Sequence, residues 1–352
     1  GEEWASGRTR ECLTWAEKAI ELGDRLGVKD QSIRARGFRG AARCDLGDPG
    51  GLEEVENALE RAESEGLGRE TSVQFNNAGY LKWLMRGPAA AVETYRKGIA
   101  FGERRGLLLE AQWMKVSLGE ALYDLGHWDE LLAVCDEAME WAARHGVEDL
   151  GLAAGLHRLQ VELRREDVGV RGPATDELLN KARRAGDPQQ LVGALTLVIC
   201  IARADGGPTR ALTEELRDYV ERDESAEWLR HLPDAARALA AEGELDALDK
   251  VVGRIETPYL RHRLSLETAR AIVLASRKDP DVAVDAFDRA ASGWRAYGCP
   301  LEVAEALVGA ARCLTSAGRA TEAGPRLREA ASIAETLGAT AFRREALALE
   351  HT

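Results

Sequence analysis

Histidine and cysteine are the residues best able to bind a metal or to act as nucleophiles, and the sequence contains six of each. No two histidines have the H-E-x-x-H spacing that places both imidazoles on one helix face, and no two cysteines form a Cys-x-x-Cys pair. The cysteines mostly lie beside Ala or Leu in helical patterns, which is typical of small buried residues. We therefore predict no metal site and no cofactor. The cysteines are Cys12, Cys44, Cys135, Cys200, Cys299 and Cys313.

Paired carboxylates are the next candidates for chemistry, because two nearby acids can share general acid and base roles. Glu53-Glu54 and Glu214-Glu215 are such pairs, but on amphipathic helices adjacent acids usually form the solvated face. The Gly47–Gly51 stretch lacks the lysine of a phosphate-binding loop, and no G-x-S-x-G nucleophile motif occurs. We predict that this chain is not an enzyme and that any catalysis would lie in domains outside it.

Composition and charge indicate which kinds of partner and which cellular compartment to expect. The 47 basic and 60 acidic residues give a net charge of −13, which disfavours direct contact with nucleic acid. No apolar run approaches the roughly 20 residues of a membrane span, so no membrane association is expected. The scattered cysteines are typical of a reduced, cytoplasmic protein. The chain opens at Gly1 without an initiator methionine, and we interpret it as part of a larger polypeptide.

A first series of glycines recurs at an interval of 39 or 40 residues, once from Gly27 to Gly186 and again from Gly298 to Gly338. A second series lies about half a repeat away, so each repeat contains two helices. Apolar residues recur at helical spacing between the glycines, and no alternation typical of a strand is found. The first series is Gly27, Gly66, Gly106, Gly146, Gly186, Gly298 and Gly338; the second is Gly47, Gly87, Gly126, Gly206, Gly243, Asp279-Pro280 and Gly318.

Small and bulky residues precede and follow the turns of the second series at fixed steps, and this pattern resembles the tetratricopeptide repeat. Small residues let two helices approach closely, and the bulky ones fill the space beside them. The resemblance implies a right-handed, all-α solenoid of about nine helix-turn-helix repeats. Its period near 40 exceeds the 34 residues of typical members, which implies longer helices. The matching residues include Ala311, Leu314, Gly318, Ala323, Leu327 and Ala330, and also Ala271, Leu274, Ala283, Phe287 and Ala290.

The repeats extend over nearly the whole chain, so we predict a single solenoid covering residues 1–352. The small-residue pattern blurs near residues 161–173 and 223–258. Neither stretch is rich enough in Pro, Gly and Ser to be a free linker. We interpret them as bends in one array and not as domain boundaries.

The long repeats, with segments such as Gly68–Thr71, Asn76–Gly79 and Arg104–Gly106, resemble the C-terminal repeat region of large bacterial, actinobacterial-type signalling ATPases. That group includes nucleotide cyclases and transcriptional regulators. The resemblance implies a protein- or peptide-binding scaffold that acts as the regulatory region of a multidomain signalling protein. Its partner would be another protein, a peptide or the signalling domains of the same polypeptide. The alternative is a sensor in which a small molecule or peptide effector controls an ATPase, cyclase or transcription-factor output domain.

The resemblance also implies where a ligand would bind, because the first helices of such repeats line a concave groove. An asparagine there can hold the backbone of an extended peptide, and an arginine can pair with a carboxylate through two hydrogen bonds. The aromatic residues lie at helical spacing among Leu and Ala, so packing in the core is an equally good explanation for them. The arginines can equally be surface charges. The groove candidates are Arg36, Arg43, Asn76, Tyr80, Trp83, Trp113 and Tyr123.

Overall fold

The computed structural model describes residue 4 and residues 7–165, 173–223, 227–277 and 279–350. Over these residues the chain forms eighteen α-helices and one short 3-10 helix, Glu227–His231, with no strand. The first nine are α1 (Thr9–Leu26), α2 (Lys29–Asp45), α3 (Gly50–Ser64), α4 (Gly68–Arg86), α5 (Pro88–Arg105), α6 (Leu108–Leu125), α7 (Trp128–His145), α8 (Glu148–Arg165) and α9 (Pro173–Ala185). The others are α10 (Pro188–Ala204), α11 (Arg210–Arg222), α12 (Leu232–Ala241), α13 (Leu245–Arg254), α14 (Leu260–Ser276), α15 (Pro280–Tyr297), α16 (Pro300–Ser316), α17 (Ala320–Leu337) and α18 (Thr340–Glu350).

The predicted glycine punctuation coincides with the helix ends. All seven glycines of the first series have a positive φ, between +67° and +98°. At Gly106 the chain leaves α5 in the left-handed conformation, which glycine adopts without a Cβ penalty. The following amide, of Leu107, then bonds to the Gly102 carbonyl at 2.9 Å and satisfies one of the open carbonyls of the helix end. The all-α fold class of repeated helical hairpins is therefore confirmed.

The small and bulky residues that carry the tetratricopeptide pattern are mostly buried, as predicted. Phe287 on α15 is 6% exposed, and its ring lies against Gly309 of α16. A Cβ at Gly309 would lie only 2.5 Å from that ring, so the absence of a side chain permits the helix approach. Five of the six cysteines are buried and none is in a disulfide. Other buried members of the pattern are Ala271, Ala283, Ala290, Ala311, Leu314, Ala323, Leu327 and Ala330.

The described residues divide into two compact units. Unit 1 comprises Gly1–Leu122 and Thr257–Arg261, and unit 2 comprises Tyr123–Glu256 and His262–Thr352. In unit 1 the helices α1, α2, α3, α4 and α5 pack on one another in chain order, and α2 also packs on α4. In unit 2 α8, α10 and α12 pack side by side, and the last helix, α18, contacts α8. The expectation of one continuous solenoid over residues 1–352 stays a prediction.

The structure describes the two predicted irregular stretches to different extents. Within 161–173, residues 161–165 are the end of α8, and residues 166–172 lie outside the described residues. Within 223–258, residues 224–226 also lie outside them. The described remainder holds the 3-10 helix and two helices of only 10 residues each, α12 and α13.

None of the described helices is long and apolar enough to cross a bilayer.

Candidate functional site

Unit 1 carries a cluster of aromatic side chains on the first helices of its hairpins. Phe38 and Asp45 lie two turns apart on α2, and Tyr80 and Trp83 lie about one turn apart on α4, so each pair shares one side of its helix. The Tyr80 and Trp83 rings are 6.0 Å apart between centroids. Trp83 is 2% exposed, whereas Tyr80 is only half-buried. We call Phe38, Asp45, Tyr80 and Trp83 the aromatic face.

Two other parts of the same chain cover this aromatic face. The Trp4 ring lies 6.1 Å from the Phe38 ring and 5.9 Å from the Tyr80 ring. The segment Thr257–Arg261 supplies the second cover: the Tyr259 hydroxyl donates a hydrogen bond to the Asp45 carboxylate. The Arg261 guanidinium carbon lies 4.4 Å from the centre of the Trp83 ring, a cation–π contact.

The hydrogen bonds at Asp45 offset part of the cost of its burial. Burial raises the pKa of the Asp45 carboxyl, because an ion is poorly solvated there, while the hydroxyls of Tyr259 and Thr9 act in the opposite direction. The Thr9 hydroxyl donates at 3.0 Å. Burial and the adjacent carboxylate raise the pKa of Tyr259 well above its usual value. Tyr259 therefore stays protonated and able to donate across the physiological pH range.

The structure places the predicted site residues of unit 1 in different surroundings. Tyr80 and Trp83 belong to the aromatic face. Asn76 lies one turn before Tyr80 on α4; it is half-buried, and its side-chain oxygen has no hydrogen-bond partner within the described part of the chain. Trp113, on α6, is half-buried. A ligand-binding role for these residues stays a prediction.

The two predicted arginines do not join the aromatic face. Arg36 and Arg43 line an open groove of about 370 Å³ that is formed with α3. Arg36 pairs with Asp24 of α1 at 2.6 Å, and Arg43 pairs with Asp48 at 2.8 Å and with Glu54 at 2.7 Å. Their positive charges therefore already meet carboxylates of the chain itself.

Tyr123 belongs to unit 2, where its hydroxyl lies 3.4 Å from Nε of Arg164. Arg164 also contacts carboxylates of two other helices, at 2.5 Å to Asp234 of α12 and 3.0 Å to Glu305 of α16. Arg237, one turn after Asp234, pairs with Glu302 at 2.5 Å and with Asp234 at 2.9 Å. We call the five charged residues Arg164, Asp234, Arg237, Glu302 and Glu305 the ion network.

The ion network is held in a poorly solvated part of unit 2. Its side chains are between 10% and 23% exposed. Burial opposes ionisation of Asp234, but the guanidinium groups of Arg164 and Arg237 outweigh it and hold the Asp234 pKa below its usual value. At Glu302 burial prevails over the attraction of Arg237, so the Glu302 pKa is raised. With three carboxylates and two guanidinium groups, the network joins α8, α12 and α16.

No family model matches this sequence, and no curated protein matches it. The solved structures that are similar to it include the following three. The yeast Tom70 chain gives a TM-score of 0.46 at 15% identity, over 92% of this chain and 65% of Tom70, so this chain spans less than two thirds of that protein. A Rap protein complexed with competence and sporulation factor gives 0.42 at 13% identity, over 98% of both chains. A circular tandem repeat protein gives 0.27 at 13% identity, over 97% of this chain and 89% of that one.

Besides the ion network, sequence reasoning missed two features of these sites. The first is the cover of the aromatic face by Thr257–Arg261, for which Pro258, at the end of an irregular stretch, is a local signal. The second is a groove of about 1000 Å³ between α3 and α5, with glutamates of α3 on one side and cations of α5 on the other. Its lining includes Glu56, Glu60, Glu63, Phe75, Lys82, Arg96, Lys97, Phe101 and Arg104.

Over the described residues no group of three or more His, Cys, Asp or Glu is arranged to hold a metal ion.

Proposed function

We propose that this chain is a protein- or peptide-binding scaffold whose aromatic face holds an extended segment of its partner. One observation carries the proposal: a short segment of the chain itself, Thr257–Arg261, already occupies this face. Its contacts are a hydrogen bond to a buried carboxylate and a cation–π contact, both of which a partner peptide can reproduce. No catalytic role is proposed for any residue of this chain.

We further propose that the scaffold is the regulatory region of a multidomain signalling protein in the cytoplasm. The sequence resemblance to repeat regions of bacterial signalling ATPases supports the regulatory role, and the burial of five of the six cysteines among helices, as small core residues, supports a reduced compartment. A sensor of a small-molecule or peptide effector stays the alternative. It predicts that a metabolite stabilises the chain against heat while no protein or peptide partner does.

Selection of displayed peptides tests the scaffold function. Random peptides selected on the full chain carrying Tyr259→Ala and Arg261→Ala, which opens the aromatic face, should include binders that lose at least about tenfold in affinity when Tyr80, on the aromatic face, is changed to Ala. Trp15→Ala is the matched control, because Trp15 is a 59% exposed aromatic on α1. Circular dichroism verifies that both variants keep their helices. If every selected peptide is indifferent to Tyr80→Ala, the aromatic face is not a peptide-binding surface.

A further inference from the structure

The segment that covers the aromatic face has the features of a bound peptide. Its backbone leaves α13 at Ile255 in an extended conformation, with φ −90° and ψ 123°, and becomes helical only from Leu260. Two of its side chains, two residues apart, are almost entirely buried: Tyr259 is 6% exposed and Arg261 is 7% exposed. The segment therefore presents an aromatic hydroxyl and a guanidinium group at a fixed spacing.

The aromatic face offers a distinct partner to each of these two groups. The Asp45 carboxylate accepts the hydrogen bond of the Tyr259 hydroxyl, and a phenylalanine there would leave a buried acceptor without one of its donors. The Trp83 ring receives the planar guanidinium of Arg261, which stacks on an aromatic ring better than the ammonium of a lysine does. Both contacts select side-chain chemistry and not merely hydrophobicity.

We propose that the aromatic face recognises peptides that carry tyrosine and, two residues later, arginine, and that Thr257–Arg261 is the built-in competitor of such a partner. This inference rests on the scaffold function proposed above. Because the competitor is part of the same chain, its effective concentration at the face is high, of the order of millimolar. A partner must therefore displace it, and an isolated peptide binds the unmodified chain only weakly.

The test uses a fluorescent peptide with the sequence of residues 255–261, Ile-Glu-Thr-Pro-Tyr-Leu-Arg, and the full chain carrying Tyr259→Ala and Arg261→Ala. Fluorescence anisotropy should show the peptide binding this variant at least about tenfold more tightly than it binds the unmodified chain. Changing the tyrosine of the peptide to phenylalanine, or its arginine to lysine, should weaken binding several-fold. Adding Asp45→Asn to the variant should do the same, whereas adding Trp15→Ala should have no effect.

The outcomes separate this inference from the proposed function. A folded variant that does not bind the peptide, or binds it equally well without its tyrosine or arginine, overturns the Tyr-x-Arg inference. The scaffold function would still stand if selected peptides of another sequence depend on Tyr80. Where the double variant loses its helical signal, hydrogen exchange of the unmodified chain decides. A peptide concentration of about 1 mM should accelerate amide exchange at Tyr259 and Leu260, a scrambled peptide should not, and no acceleration overturns the inference.

Discussion

At the scale of single residues, the fold depends on glycines that lie directly beneath aromatic rings. Gly309 of α16 contacts the Phe287 ring of α15, and Gly79 of α4 contacts the Tyr95 ring of α5 in the same manner. In both places a Cβ on the glycine would lie 2.5 Å from a ring carbon. The ring fills the space that the missing side chain leaves, so glycine and aromatic residue act as one packing unit.

Phe287→Ala should lower the free energy of unfolding by about 3 to 5 kcal/mol, because it removes a buried ring and leaves a cavity above Gly309. Urea denaturation followed by circular dichroism measures the change. Val282→Ala on the same helix is the control, since Val282 is 45% exposed and should change stability by no more than about 0.5 kcal/mol. A loss below about 1 kcal/mol at Phe287 would remove that ring from the core.

At the scale of helices, the crossing of α2 and α3 is closer than side chains would permit. A Cβ at Gly40 would lie 2.6 Å from the Gly51 carbonyl oxygen and 2.9 Å from a methyl group of Val55. Because a backbone carbonyl cannot turn away as a flexible side chain can, the two helices would have to separate. Close helix contact in this hairpin thus depends on glycine at both positions.

Gly40→Ala should therefore destabilise the chain by about 1 to 3 kcal/mol, despite the better helix propensity of alanine. The matched control is Gly253→Ala in α13, where a Cβ would have nothing within 4 Å. That variant should gain roughly 0.5 to 1 kcal/mol, because alanine loses less conformational entropy in a helix. Thermal denaturation of the pair compares them directly, and a stabilising Gly40→Ala would contradict the close crossing.

The ion network makes a prediction about the helices that it joins. Arg164→Met should cost about 3 kcal/mol, because Asp234 and Glu305 would lose a cation in a poorly solvated site. Arg144→Met on α7 is the control: its pair with Glu140 is exposed and is expected to contribute less than about 1 kcal/mol. Chemical denaturation measures both variants. Equal effects at the two positions would show that the ion network does not hold α8, α12 and α16 together.

The sequence predicts what depends on neighbours along the chain and fails where distant residues meet. The helix ends follow from the glycine series, and the burial of Phe287 follows from its spacing to Ala283 and Ala290. Tyr259 and Asp45, in contrast, are 214 residues apart, and Arg164 and Glu305 are 141 apart. No local pattern encodes such contacts. The sequence places Arg36 and Arg43 on the first helix of a hairpin but does not predict which side of that helix they occupy. Their positions depend on carboxylates of α1, of α3 and of the turn just before α3, with which they pair.

At the scale of the whole molecule, charge makes the fold more tolerant of mildly acidic than of alkaline solution. The net charge is −13 and the isoelectric point is about 5.2, so repulsion between carboxylates weakens as the pH falls from 8. Burial raises the pKa of Asp45, Glu302 and Glu345 in the folded chain. A carboxyl with a raised pKa stabilises the fold fully below its unfolded-state pKa, and this contribution is lost as the pH rises through the folded-state pKa.

Asp234 changes the stability of the fold with pH in the opposite direction. Its pKa lies below the ordinary value of 3.8, so the stability that it contributes is present above that value and is lost as the pH falls through the lowered pKa. The melting temperature should therefore rise when the pH is lowered from 8 to about 6.5, because surface repulsion weakens, and should fall at lower pH, because burial lowers the pKa of His157 to about 4 and the stability that its neutral form contributes is lost below its ordinary pKa of 6.5. Adding 0.5 M salt should reduce the rise, because the rise comes from surface repulsion, and should leave the fall due to the buried His157 and Asp234. A melting temperature that keeps rising down to pH 5 would contradict the lowered pKa of His157, and a profile unchanged by salt would exclude the contribution of net charge.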